Sequence, residues 1–172
     1  MKDNRVLLGF SGGIDSFAAV GLLQAAGYHV TALTLDMRGD SALLEKARLR
    51  AGTLGIPWRM RSVRERFERE VVDYFTDSYF RGRTPAPCTR CNSRIKWPCL
   101  AAEADALGIR HIATGHYFRI TSAGGKRYVT RAADNRKDQS YYLWDLPQEI
   151  LDRVLTPMLS LIHISEPTRL RR

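Results

Sequence analysis

The hydrophobic pattern of this chain repeats one unit three times: an amphipathic helix, a glycine and a β-rich run. The glycines are Gly27, Gly55 and Gly108, and the runs that follow them cover residues 28–33, 56–58 and 109–113. Glycine suits the left-handed cap of a helix, so each unit predicts a helix that returns at once into a strand. Together with an apolar opening strand at residues 6–10, these returns predict a doubly wound, Rossmann-like α/β domain with a parallel sheet.

Three further segments have patterns of their own. Residues 64–79 predict a helix with an apolar row at every fourth position, formed by Phe67, Val71, Phe75 and Tyr79. Two prolines in the segment 82–92 stiffen it and predict a loop kept out of helix. The runs on either side of Gly124-Gly125, residues 117–120 and 127–131, predict a β-hairpin.

The sequence at the two ends of the chain contains no pattern that predicts a further helix or strand outside this domain. From Leu159 onward no helix or strand period continues, and residues 159–172 resemble the translation of a sequencing adapter. We therefore predict a truncated domain at residues 1–158 and an artefactual tail at 159–172, with a genuine basic tail as the alternative. The first residues run straight into a strand, which leaves no room for a signal peptide.

Charge and cysteine content point to an intracellular partner that is a polyanion. The net charge is +9, from 27 Lys and Arg against 18 Asp and Glu. Nucleic acid is the first candidate partner and an anionic membrane the second, and extra basic residues for solubility are the plain alternative. No apolar run approaches the roughly 20 residues needed to span a bilayer. Three cysteines clustered between residues 88 and 99 do not suggest a disulfide framework, so we expect a cytoplasmic protein.

The segment Ser11-Gly12-Gly13-Ile14-Asp15-Ser16 has the chemistry of an anion site. It follows the opening strand and precedes a helix predicted to begin near Phe17. Glycines let backbone N–H groups approach phosphate oxygens, and the helix dipole favours negative charge there. Asp15 is compatible with phosphates if Mg²⁺ lies between them. The loop has no lysine, unlike the loop of kinases and GTPases, and a simple turn before a helix is the alternative.

This segment resembles the SGGxDS loop of the ATP pyrophosphatase (PP-loop) superfamily, which binds ATP and splits it to AMP and pyrophosphate. The resemblance implies a nucleotide site on one set of residues. They are Gly9, Phe10, Ser11, Gly12, Gly13, Ile14, Asp15, Ser16, Leu35 and Gly115.

Three more motifs, in order, resemble one family of that superfamily, the bacterial tRNA 2-thiouridine synthases. Residues 84–92 with Ile95-Lys96-Trp97 are similar to its TPNPDxxCN…IKF segment, residues 113–117 to ATGHY, and residues 134–143 to KDQSYFL. The likeness covers residues 5–158 and identifies the chain as an N-terminal fragment. It implies that ATP, with Mg²⁺, adenylates the wobble uridine of tRNA. Sulfur from a cysteine persulfide, supplied by a donor protein, then displaces AMP.

The same resemblance implies roles for individual residues. Cys91 matches the first catalytic cysteine, and its place between Arg90 and Lys96 suits a thiol that must be reachable and partly deprotonated. The implied tRNA contacts are Ala86, Pro87, Cys88, His116, Lys137, Asp138 and Gln139.

Two departures from the family pattern affect these expectations. Cys88 replaces the usual Asp and Ala86 the usual Asn, and the family's second catalytic cysteine has no counterpart in this sequence. We therefore expect the fragment alone to be inactive in thiolation.

The pair Cys88-x-x-Cys91 also has the spacing of a zinc or iron–sulfur site. A zinc site needs four ligands, or three and an open position, and Cys99 lies too far from Cys91 to join it on one zinc if a helix connects them, although Pro98 could break that helix. An iron–sulfur cluster completed by a cysteine absent here, and three unrelated thiols, remain alternatives.

Two other functions compete with thiolation. One is a different adenylating enzyme of the superfamily, such as an amidotransferase synthetase or a tRNA-lysidine-type ligase, which needs no thiol in the cysteine segment. The other is a non-catalytic module that binds tRNA or senses a nucleotide.

Overall fold

The computed structural model describes residues 3–159 and has a five-stranded parallel sheet at its centre. Its strand order is β3-β2-β1-β4-β7, and every neighbouring pair is parallel. The strands are β1 Arg5–Gly9, β2 His29–Asp36, β3 Trp58–Ser62, β4 His111–Thr114 and β7 Val154–Leu155. The predicted doubly wound α/β fold is confirmed, with β7 as a short edge strand that the sequence pattern did not predict.

Helices cover both faces of this sheet. The helices are α1 Ile14–Ala25, α2 Ser41–Thr53, α3 Arg64–Phe67, α4 Asp73–Phe80, α5 Pro87–Cys91, α6 Trp97–Ala106 and α7 Gln148–Leu151. Side chains alternate along β1, so that Val6 and Leu8 pack with α1 and α2 while Leu7 packs with α6. All three are fully buried, and each such side chain contributes about 1.5–3 kcal/mol to folding.

The three predicted helix-to-strand returns are confirmed. Gly27, Gly55 and Gly108 have φ angles of 84°, 63° and 63°. At each site the N–H of the glycine and that of the next residue donate back to carbonyls of the preceding helix, as in a Schellman cap. The chain therefore reverses into the next strand within two residues.

The helix predicted at residues 64–79 is present, but its apolar row does not stay on one face. A wide π-helical turn, Glu68–Val72, separates α3 from α4. Val71 is buried, whereas Phe75 and Tyr79 are 41% and 62% exposed. A π-helical turn carries one extra residue, so positions beyond it are rotated relative to a regular α-helix.

The loop predicted at residues 82–92 is wrong for its second half. Residues 87–106 are helical throughout: α5, a second π-helical turn at Asn92–Lys96, and then α6. Pro87 is the first residue of this helix, where its missing N–H costs nothing and its fixed φ suits the helix.

The predicted hairpin is confirmed as β5 Arg119–Ala123 paired with β6 Lys126–Thr130. Beyond it, a 3₁₀ turn, Ser140–Tyr142, and α7 lead into β7. Within residues 3–159, no helix is both long and apolar enough to cross a membrane. The tail predicted at 159–172 lies, apart from Leu159, outside the described residues, and the domain division stays a prediction.

Candidate functional site

A cavity of about 560 Å³ opens at the carboxyl ends of β1, β2 and β4. At this edge the connection after β1 leads to β2 on one side, whereas the connection after β4 leads to β7 on the other, and open α/β sheets bind ligands at such a switch point. Of the predicted nucleotide residues, Gly9, Phe10, Ser11, Asp15, Ser16, Leu35 and Gly115 line the cavity. The other three, Gly12, Gly13 and Ile14, belong to the same loop but do not line it, and Ile14 is 80% exposed.

The phosphate loop is held in shape by its own hydroxyl groups. The Gly13 N–H donates to Ser11 Oγ at 3.2 Å, and Ser16 Oγ donates to the Gly13 carbonyl at 3.0 Å. The two serine oxygens lie 3.3 Å apart. Helix α1 begins at Ile14, earlier than predicted, because the Phe17 N–H already bonds to the Gly13 carbonyl. The N-terminus of α1 thus lies beside the cavity, where it attracts anions.

Two glycines make this loop possible because their neighbours leave no room for a side chain. Gly12 has a φ of 68°, and a Cβ there would lie 2.9 Å from Ala47 Cα. A Cβ on Gly115 would lie 2.9 Å from the Ser16 backbone nitrogen. The second contact joins the segment after β4 to the first turn of α1.

Asp15 is oriented by the same segment. The Tyr117 hydroxyl donates to Asp15 Oδ1 at 2.7 Å, and the carboxylate lines the cavity. Mg²⁺ in phosphate sites is commonly held by one or two carboxylates together with phosphate oxygens. One carboxylate with the hydroxyls of Ser11 and Ser16 nearby fits that pattern.

The sequence analysis missed one buried acidic group at the cavity. Asp36, the last residue of β2, is buried and accepts hydrogen bonds from the Gly39 N–H and from Arg64 Nε, both at 2.7 Å. The Arg64 hydrogen bond lowers the pKa of Asp36, against the opposing effect of burial, and the Gly39 bond acts in the same direction. Its place at a strand end beside β1 could have identified it. Other lining residues that the sequence analysis did not assign include Thr34, Met37, Arg38, Asp40, Phe67 and Lys96.

His116 also lines the cavity and is held there as a neutral ring. Its Nδ1 lies 2.8 Å from Thr114 Oγ1, and the ring stacks on Trp97 with a centroid distance of 6.4 Å. Burial lowers the pKa of His116 to about 4, and the nearby Lys96 charge acts in the same direction. At neutral pH the ring can therefore accept or donate a hydrogen bond without carrying charge.

Cys91 differs from its predicted environment. It is only 6% exposed and packs with Val63, Val71, Ile95 and Cys99. Burial raises the pKa of the Cys91 thiol, although the Lys96 charge partly offsets this. The expectation of a reachable, partly deprotonated thiol does not hold in this conformation, because its helix packs onto the segment that contains Val71. The catalytic role of Cys91 stays a prediction.

The buried cluster that contains Cys91 adjoins the nucleotide cavity. Leu35, Met37 and Phe67 pack against this cluster, and the same three residues line the cavity. The cluster and the predicted nucleotide site therefore share these three side chains.

The predicted tRNA residues divide between two places. His116 and Gln139 line the cavity, whereas Ala86, Pro87 and Cys88 do not. Cys88 is exposed, and the Asn92 side chain donates to its carbonyl at 2.9 Å.

The Lys137-Asp138-Gln139 triplet contacts Tyr117 and forms hydrogen bonds within its own loop. The Gln139 side chain accepts from the Tyr117 N–H at 3.1 Å, and the Lys137 ammonium lies 5.4 Å from the Tyr117 ring centroid. Asp138 accepts from the Ala132 N–H and from Ser140 Oγ, which orders the loop. The tRNA role of the triplet stays a prediction.

The cysteines do not form a preassembled metal site in the described part of the chain. No group of three or more His, Cys, Asp or Glu side chains there could hold a metal ion. Cys88 is exposed, whereas Cys91 and Cys99 are buried and belong to one packed cluster.

Comparison with known proteins identifies the family of this chain. A family model described as the tRNA methyl transferase HUP domain matches residues 4–165. A tRNA-specific 2-thiouridylase, MnmA 2, of Phocaeicola vulgatus is 48% identical over 160 residues, which cover 91% of this chain and 46% of the relative. MnmA 1 of Bacteroides fragilis is 49% identical and is covered to 44%. The chain thus spans less than half the length of these relatives.

Solved structures share the fold at low sequence identity. A predicted subunit of tRNA methyltransferase from Methanocaldococcus jannaschii matches 66% of this chain and 53% of its own, with a TM-score of 0.51 and 20% identity. A glutamine-dependent NAD+ synthetase from Acinetobacter baumannii, solved with ADP, matches 98% of this chain and 33% of its own, with a TM-score of 0.50 and 18% identity. These likenesses support the α/β fold alone.

Proposed function

The chain belongs to the tRNA methyl transferase HUP domain family, and on that premise we propose that it carries the ATP site and first cysteine of a tRNA 2-thiouridylase. The relatives that share nearly half its residues are named as such enzymes. The reaction would take place in the cytoplasm, where thiols stay reduced.

The proposed reaction has two steps. The C2 oxygen of the wobble uridine attacks the α-phosphorus of ATP, which forms an adenylated uridine and releases pyrophosphate. The terminal sulfur of a cysteine persulfide then attacks C2 and displaces AMP. A second thiol attacks the inner sulfur, so that the S–S bond breaks, a disulfide forms and the transferred sulfur stays on C2 in place of the original oxygen. Adenylation is needed because a carbonyl oxygen is a poor leaving group, whereas AMP is a good one.

The cavity residues suit the first step. Backbone N–H groups at the start of α1 and the hydroxyls of Ser11 and Ser16 would bind the phosphates, and Asp15 would hold Mg²⁺ against them. Bound Mg²⁺ would neutralise charge that develops on the phosphate oxygens. The uncharged His116 ring, at the same cavity, would hydrogen-bond the target base.

The observation that carries this proposal is the convergence of separate motifs on one cavity. Both ends of the loop at residues 9–16, the Gly115–His116 segment and Gln139 line it, although they are distant in the sequence. Cys91 belongs to a cluster that packs against three residues of the cavity wall. A nucleotide site and a thiol so close together fit a reaction that uses both.

The partners of this reaction are also proposals. The net charge of +9 favours tRNA, whose backbone would be bound by the basic surface, with Ala86, Pro87, Cys88 and the 137–139 triplet near the target base. Sulfur would come from a separate persulfide-carrying protein. The Cys91 side chain would have to leave its buried position before sulfur transfer, because the sulfur that it carries must contact C2 of the uridine.

The burial of Cys91 favours one rival, a module that binds ATP and tRNA without chemistry. Pyrophosphate release by the chain, with ATP and Mg²⁺ and with or without tRNA, separates the two functions because adenylation requires no thiol. The thiouridylase proposal expects release that depends on tRNA. ATP and tRNA binding without any release would favour the module.

A further inference from the structure

The nucleotide cavity needs positive charge that its phosphate loop does not supply. Residues 9–16 contain no Lys or Arg, and their one charged side chain is Asp15. The cations among the described lining residues are Arg38 and Lys96. The Arg38 guanidinium lies 5.9 Å from the centroid of the Phe67 ring, in a cation–π contact. Lys96 is therefore the natural source of charge for a bound phosphate.

No protein group within residues 3–159 neutralises Lys96. No carboxylate there lies within ion-pair distance of its ammonium group, whereas Asp36 is already paired with Arg64 at 2.7 Å. Asp15 accepts its hydrogen bond from Tyr117. An unpaired ammonium at a cavity wall favours an anionic ligand.

Two groups at the site already respond to this charge. The Lys96 ammonium lowers the pKa of His116, in addition to the larger effect of burial. It also lowers the pKa of the Cys91 thiol, against the larger opposing effect of burial. Lys96 is thus electrostatically close both to a ring that lines the cavity and to Cys91.

The backbone conformation explains how Lys96 can lie close both to the cavity and to Cys91. The π-helical turn Asn92–Lys96 is closed by the Trp97 N–H, which donates to the Asn92 carbonyl five residues earlier. In a regular α-helix, positions five apart differ in direction by about 140°. The wider turn reduces that difference, so Lys96 projects closer to the direction of Cys91. Such turns often occur at functional sites.

We propose that Lys96 binds the nucleotide phosphate from the helical wall of the cavity and, from the same position, stabilises the thiolate of Cys91. This inference rests on the proposed function and assigns the cation that the phosphate loop lacks. The thiol proton would leave to solvent, and the thiolate would then persist beside a positive charge. One residue would thereby bind the phosphate of the AMP that leaves and favour the Cys91 thiolate, which attacks the outer sulfur of the donor persulfide, becomes the Cys91 persulfide and releases the donor thiolate.

The test compares Lys96→Met with Lys96→Arg and with Lys126→Met, which removes an exposed lysine from the hairpin. Affinities for ATP and for adenosine are measured by calorimetry on the whole chain. We expect Lys96→Met to lower ATP affinity by about tenfold or more while adenosine binding is unchanged. Lys96→Arg should retain most of the ATP affinity, and Lys126→Met all of it.

A second measurement follows the rate at which Cys91 is alkylated as a function of pH, with the alkylated cysteine identified by peptide mass spectrometry. The midpoint of this curve reports the pH at which the thiol loses its proton. Lys96→Met should move the midpoint to higher pH, while Lys126→Met should not. Unchanged ATP affinity in Lys96→Met, equal losses for ATP and adenosine, or an unmoved midpoint would each overturn the inference. If the unchanged chain bound no ATP at all, the proposed function itself would fail.

Discussion

Gly115 lies so close to Ser16 that a Cβ on the glycine would come within 2.9 Å of the Ser16 backbone nitrogen. The contact joins two segments about a hundred residues apart in the sequence, at the point where α1 begins. Both residues line the nucleotide cavity, so the spacing between β4 and α1 sets the shape of the phosphate loop.

Gly115→Ala should therefore weaken ATP binding and destabilise the fold. The added methyl group must push the α1 backbone away, and overpacking of this kind costs about 1–3 kcal/mol. Urea unfolding and ATP calorimetry measure the two effects. Gly21→Ala is the matched control, since nothing lies within 4 Å of its Cβ, and an alanine within α1 should stabilise the helix by about 0.5–1 kcal/mol. Equal stability of the two variants would contradict the close contact.

Asp15→Ala should abolish the gain in ATP affinity that Mg²⁺ provides, because the carboxylate is the proposed partner of the ion. Tyr117→Phe removes only the hydrogen bond that orients Asp15, so its loss should be smaller. Calorimetry with ATP, in Mg²⁺ and in EDTA, measures both. If Asp15→Ala responded to Mg²⁺ as the unchanged chain does, the magnesium assignment would be wrong.

The stability of the protein should fall as the pH drops through the titration of His116. Its folded pKa of about 4 lies below the usual value near 6.5, so the unfolded state binds more protons between these values. The contribution of the neutral ring is complete above about pH 6.5 and declines toward about pH 4. His116→Gln should remove this part of the pH dependence. Urea unfolding from neutral to acidic pH tests it, and identical profiles for both proteins would refute the buried neutral ring.

The cysteines should differ in reactivity toward an alkylating reagent. Cys88 is exposed, whereas Cys91 and Cys99 are 6% and 4% exposed, so Cys88 should react first. Mass spectrometry of peptides from the folded chain and from the urea-unfolded chain gives the three rates. Comparable rates for Cys88 and Cys91 in the folded chain would show that the thiol is accessible after all.

The sequence pattern predicted those parts of the fold that short segments of the chain determine. The three glycine caps and the parallel sheet follow from the sequence pattern and were confirmed, whereas α1 begins earlier than predicted. Helix α5 was missed because proline was taken to exclude helix, although Pro87 occupies the one turn that tolerates it. The two π-helical turns have no local sequence signal.

Tertiary packing accounts for what the sequence could not predict at the site. The burial of Cys91 depends on contacts with Val63 and Val71, which belong to other elements. Asp36 lines the cavity only because β2 pairs with β1. A resemblance between motifs identifies residue types, whereas their exposure and charge environment depend on the folded chain.

Transfer of AMP to tRNA tests the proposed function most directly. The chain is mixed with ATP labelled at the α-phosphate, Mg²⁺ and tRNA, without a sulfur source, so that an adenylated uridine would accumulate. We expect label on a tRNA with uridine at the wobble position and none on the same tRNA with cytidine there. Absence of label on both tRNAs, although ATP and tRNA bind, or equal label on both, would contradict adenylation of the wobble uridine.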